Sequence, residues 1–157
     1  MSGDFWERLD ETHDLSVVRQ LLPVSCGPAC GAMCLKNHNV MVTQSAVALA
    51  QGSVLTHDAA RLAEAMNRLA GYQGWLGAFV DVFTNPRQTF TALLAYGPFA
   101  TTFHTFGMHM SHMVVVDGLG SLERVIIRDP GRGTRYLIPW DDFTRVWEGQ
   151  TVWRVVP

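Results

Sequence analysis

The chain has 157 residues, 48% hydrophobic and 17% charged, with a formal net charge of −2; this is one domain's worth of ordinary globular sequence, long enough to bury a core. Acids and bases are interspersed, and no basic stripe could neutralise a run of phosphates, so nucleic acid is not an expected partner. No apolar run reaches the ~18 residues of a membrane span, and the opening MSGDFWERLDETHD lacks a basic segment leading into an apolar one, so neither a membrane anchor nor a signal peptide is expected.

Residues 26–37 contain no β-branched residue and are rich in Ala, Cys and Met, which predicts a buried helix with Pro28 in its first turn. Thr43 to Ala50 and His57 to Leu69 read as two more helices; Thr56 or Asp58 is placed to cap the second, and Ala59, Leu62, Ala63, Met66 and Leu69 recur at helical spacing. After Gly71 the pattern changes. The runs GPFATTF, SHMVVVDGL, ERVIIRDP, TRYLIPW and QTVWRVV are short, β-branched or aromatic, and separated by Gly, Pro and Asp, which predicts an antiparallel sheet. PWDDFTRVWEG, before the last of them, reads as a brief helix between Pro139 and Gly149. Helices first and strands second give an α+β class. A single domain over 1–157 is expected, with 1–15 a candidate linker from a longer chain.

The three cysteines, at 26, 30 and 34, line one helical face. Zinc sites favour closer pairs from separate loops, and an odd number crowded in this way is no disulfide framework, so no metal and no cofactor is expected. Cys30 and Cys34, one and two turns in, are most simply small buried hydrophobes. Cys26 differs: at a helix N-terminus the dipole and free N–H groups stabilise a thiolate and lower the thiol pKa from about 8.5, which makes it the candidate nucleophile.

A thiolate nucleophile needs a base to shuttle its proton, and the base needs an orienting acceptor. Of six histidines, His13, His38 and His57 lie in polar surroundings that suit the surface, whereas His104, His109 and His112 cluster in FHTFGMHMSHMVVVDG. Pairing Asp117 with Arg124 across the turn places Val116 opposite Val125, Val114 opposite Ile127 and His112 opposite Asp129. Opposed side chains share a face with Cβ atoms about 5 Å apart, within reach of a His–carboxylate bond, and a one-residue slip would separate the pair. His104 and His109 stay open as bases should that register not hold. For an oxyanion hole, the Cys26 backbone N–H is available at the helix start, and the Gln20 amide, six residues upstream, is the second candidate donor.

Gln20, then CGPAC, Gly97–Pro98, HMVVVDG, RDPGRG and an ending with Trp140, Phe143, Trp147 and Gly149 resemble, in order and over 20–149, the papain-like cysteine peptidases of the bacteriocin-processing group. Those are peptidase domains of ABC exporters that cut leader peptides after a double glycine; related papain-fold domains occur as bacterial toxins. The resemblance implies a papain-like fold, with Cys26 as nucleophile, His112 as general base and acid, Asp129 as its orienter and Gln20 as oxyanion-hole donor. Ser25 departs from the acidic residue common there.

The expected activity is that of a cysteine endopeptidase with a narrow cleft suited to Gly-Gly, acting as an antibacterial effector that a secretion system delivers to a competitor's cytoplasm. A protein substrate and a cognate immunity protein are the expected partners. Two alternatives keep the same residues: a deamidase or transglutaminase-like toxin, or a peptidoglycan amidase. A third is an inactive papain fold used for binding, against which stands the joint presence of Cys26, His112, Asp129 and Gln20.

Overall fold

The computed structural model describes residues 9–55, 58–104 and 111–157. Within them the chain runs β1 (Leu9–His13), α1 (Cys26–Lys36), α2 (Gln44–Gln51), α3 (Ala59–Ala70), β2 (Trp75–Phe79), α4 (Pro86–Leu93), β3 (Phe99–Phe103), β4 (His112–Leu119), β5 (Arg124–Asp129), β6 (Thr134–Pro139), α5 (Trp140–Val146) and β7 (Trp147–Arg154). The described strands form one antiparallel sheet in the order β1-β6-β5-β4-β3-β7-β2. The expected α+β order therefore holds. The structure adds β1, β2 and α4: Leu9–His13, within the stretch read as a candidate linker, pairs with β6.

α2, α3 and α4 begin where a capping side chain satisfies an orphan N–H of the first turn. Thr43 accepts from Ala46 N, Asp58 from Arg61 N at 2.7 Å, and Asn85 from Gln88 N ahead of Pro86; Thr56, the other cap considered for α3, and His57 lie outside the described residues. α1 carries no charge before Lys36, and each residue from Cys26 to Leu35 is buried, as a helix that is apolar all round must be. Gly31 makes that burial possible: a Cβ there would lie 3.0 Å from Leu62 and 3.1 Å from Val47, so α2 and α3 close directly on the α1 backbone.

Alternation along β4 divides the core between the two faces of the sheet. Met113 and Val115 join Met33, Leu62 and Met66 under α1 and α3, while Val114 and Val116 join Ile127, Phe90 and Phe143 under α4 and α5. Helices cover both faces.

The β4–β5 register differs from the expected one. Val116 lies opposite Ile127 and Val115 opposite Arg128, but Gly118 lies opposite Ile126 and Leu119 opposite Val125. Asp117 is thus an extra residue, a β-bulge, and it does not pair with Arg124. Near the site the strands are two residues out of step with the expectation. An even displacement keeps every side chain on its face, so His112 and Asp129 remain neighbours on one side, diagonal instead of directly opposed.

Candidate functional site

Cys26 opens α1, so its side chain stands at the positive end of the helix dipole. The Met113 backbone N–H points at Cys26 Sγ at 3.4 Å, and His112 hydrogen-bonds the same thiol. The Nε2 of His112 lies 2.7 Å from Asp129 Oδ1, which leaves Nδ1 as the ring nitrogen that faces Cys26. His112 and Asp129 are 5% and 4% exposed, so this is a dry contact.

Asp129 accepts from every side. Oδ1 also takes the Gly131 N–H at 2.8 Å, closing the turn that RDPG suggests, and Oδ2 takes the Tyr136 hydroxyl at 3.0 Å. Burial opposes its ionisation, but the His112 charge and these hydrogen bonds outweigh burial and hold the carboxyl below its ordinary value. Burial likewise opposes protonation of His112, yet the Asp129 charge and hydrogen bond, with the Cys26 contact, push it up to about 10. The arrangement is a buried carboxylate holding an imidazolium against a thiol.

The other expected candidates differ in their surroundings. Burial pushes the Cys30 thiol well up and Cys34 up to about 12; Cys30 donates to Met113 O at 3.4 Å, and both behave as core residues. His104 is exposed, 4.0 Å from Glu148, and His109 lies outside the described residues. Gln20 is buried; its Nε2 donates to Leu22 O at 2.7 Å, and its Oε1 has no hydrogen-bond partner among the described residues. The Gln20 backbone N–H donates to Pro130 O at 2.8 Å, which ties the segment ahead of Cys26 to the turn after Asp129. Ser25 closes that segment through Leu22, its hydroxyl bonded to both the N–H and the carbonyl.

Sequence reading missed Tyr136, Gly131 and the Met113 N–H. A buried Tyr in a strand has a hydroxyl that must find a partner, but nothing local says which. Among the described residues, no group of three or more His, Cys, Asp or Glu could hold a metal ion, and no helix is long and apolar enough to cross a membrane. An apolar groove of about 610 Å³, lined by Leu21, Leu22, Pro28, Ala48, Leu49 and Val54, runs alongside the segment that carries Gln20 to Cys26. Neither Cys26 nor His112 lines it.

No protein-family model matches the chain. A double glycine motif protease from an AMS/PCAT transporter, solved in complex with its leader peptide, superposes over 96% of this chain and 94% of its own with a TM-score of 0.66 at 21% identity. The peptidase domain of Streptococcus ComA, a bifunctional ABC transporter, covers 89% and is itself covered to 97%, with a TM-score of 0.65 at 21% identity. The chain has the fold of these peptidase domains. The papain-like, double-glycine peptidase fold expected from the sequence is therefore the one observed. Over 153 residues, 98% of the chain, this peptidase-fold domain is also 33% identical to "Cysteine protease effector 1" of Escherichia coli O1:K1:H7. The chain spans 29% of that protein's length.

Proposed function

We propose that the chain is a cysteine endopeptidase domain, 1–157, of an antibacterial effector. The observation that carries the reading is His112 bridging Cys26 and a buried, fully hydrogen-bonded Asp129. Cys26 is the nucleophile: the helix N-terminus, the Met113 N–H and the imidazolium all favour its thiolate. The sulfur attacks a peptide carbonyl carbon, and the carbonyl electrons move onto oxygen. The Cys26 N–H and the Gln20 amide receive that oxyanion; Gln20 spends one N–H on Leu22 O and keeps its second. His112 gives its proton to the leaving amine, a thioester remains, and His112 then takes a proton from the water that hydrolyses it. Asp129 holds the ring in orientation throughout.

A protein substrate cut after Gly-Gly is supported by the fold shared with a double glycine motif protease seated on a leader peptide. An effector role is supported by the relative's name; delivery by a secretion system into the cytoplasm of a target bacterium, with an immunity protein that protects the producer, completes the proposal. The test is to incubate wild type and Cys26→Ala with a bacterial lysate and to catalogue new protein N-termini by mass spectrometry. New termini that depend on Cys26 and follow Gly-Gly are expected. A Cys26-dependent mass gain of about one unit at Gln, with no new termini, refutes proteolysis, because the same acyl-enzyme chemistry would then act on side-chain amides.

A further inference from the structure

The bulge at Asp117 decides which residues of β5 share a face with His112. On the turn side of the bulge Gly118 pairs with Ile126. Continued without the extra residue, that pairing would bring Val116 opposite Arg128 and Val115 opposite Asp129. Because side chains alternate, Asp129 would then point with Met113 and Val115 toward α1, away from His112. Arg128 would point into the apolar layer of Val114, Val116 and Phe143, where a guanidinium has no partner. The bulge returns both residues to their observed sides.

Something must hold an extra residue in place, and the structure shows what does. Asp117 Oδ1 takes two N–H groups of Arg128, at 2.9 Å from Nε and 2.7 Å from Nη2, and Oδ2 takes Arg135 Nη2 at 3.1 Å. Arg135 in turn reaches Asp14 at 3.2 Å. The Arg128 side chain is 5% exposed, and its two N–H contacts to Asp117 converge on the one oxygen. Gly118, next in the chain, sits at a φ of 152°, a conformation that strongly favours glycine. The sequence Asp117-Gly118 therefore supplies both the backbone that can bulge and the anion that fixes it from the neighbouring strands.

We propose that Asp117 and Arg128 are positioning residues: their ion pair locks the β4–β5 register on which the His112–Asp129 contact depends. The proposal rests on the peptidase reading for its importance, but its test does not. Alkylation of Cys26 by iodoacetamide as a function of pH reports the thiolate that a protonated His112 sustains, whatever the substrate. Wild type is expected to react well below the ordinary thiol range of about 8.5; a wild type without that low-pH phase sinks the peptidase reading itself.

In folded Asp117→Asn the low-pH rate should fall about tenfold or more as the slipped pairing becomes populated. Deleting Asp117 together with Arg128→Met should restore it. Removing the extra residue leaves Val116 opposite Ile127 in a regular ladder, so the register no longer needs its clamp. A purely electrostatic or stabilising role for the pair predicts no such rescue. The proposal is overturned if Asp117→Asn keeps the wild-type profile, or if the folded deletion variant lacks the low-pH phase. Should Asp117→Asn fail to fold, as circular dichroism will show, the deletion variant decides alone, its low-pH phase supporting the register lock.

Discussion

Replacing Asp129 by Asn and by Ala separates what its charge does from what its hydrogen bonds do. The carboxylate accepts from His112 Nε2, Gly131 N and the Tyr136 hydroxyl. Asn keeps a carbonyl oxygen where Oδ1 stands, so the His112 and Gly131 bonds survive with a neutral acceptor, and the Tyr136 hydroxyl turns to accept from the new NH2. What is lost is the charge. A hydrogen bond to a charged group contributes about 1.5–3 kcal/mol and a neutral one about 0.5–1.5, so Asn should weaken the hold on the imidazolium by about 1–1.5 kcal/mol. That corresponds to a loss in kcat/KM of about five- to thirteenfold. Ala removes the acceptor altogether and leaves the buried Nε2–H unpaired, at a further cost of about 1–3 kcal/mol. The ring also loses its orientation, so the total loss should reach roughly a hundredfold to several thousandfold. The assay is cleavage of a peptide carrying the lysate-defined cut site, with Cys26 alkylation run in parallel on both variants. Equal losses for Asn and Ala, or a loss under twofold for Ala, would refute this account of Asp129.

Tyr136→Phe removes one of three donors to the same carboxylate, and should lower stability by about 0.5–1.5 kcal/mol and kcat/KM by less than tenfold; a larger kinetic loss without a change in melting temperature would give the hydroxyl a direct role. In a Cys26→Ala background, which removes that thiol's own titration, stability should fall as pH rises. Asp129 still makes His112 hold its proton more tightly folded than unfolded, so its contribution is complete below about 6.5 and is lost as pH rises through the raised folded value, which without Cys26 lies below that of the wild type. Asp129, held low, loses its contribution on the acid side, below about 4. Thermal unfolding of Cys26→Ala and Cys26→Ala/His112→Gln from pH 6 to 10 checks this, and parallel curves would contradict it. Leu49, 84% exposed beside the apolar groove, can become Asp without harm to the fold. Leu49→Asp should raise KM for the protein substrate up to tenfold, since up to ~1.5 kcal/mol of apolar contact is lost, with kcat unchanged; an unaltered KM would remove the groove from substrate binding.

What the sequence made legible follows from where the signal lies. α1 announces itself through its composition and Pro28, and α3 through apolar spacing with Asp58 as a candidate cap, all local information. The juxtaposition of His112 with Asp129 was also legible, because only the parity of a strand register matters for face sharing. The register itself was not. Asp117 reads as an ordinary strand residue until Arg128 and Arg135, on two other strands, are known to grip it. β2 and α4 were missed for a related reason: Trp75–Phe79 gains its place as a strand from pairing with β7, more than 70 residues on.

The site is assembled from parts of very unequal sequence separation. His112 and Asp129 are 17 residues apart within one hairpin, whereas the Met113 N–H reaches Cys26 across 87 residues. During synthesis the thiol emerges early and waits: until β4 and β5 have folded against α1, it faces no imidazolium. Closing so long a loop is the slow, late event in a chain of this topology. A nascent or partly unfolded copy therefore carries an ordinary cysteine, and the reactive pair comes into being only when β4 and β5 dock.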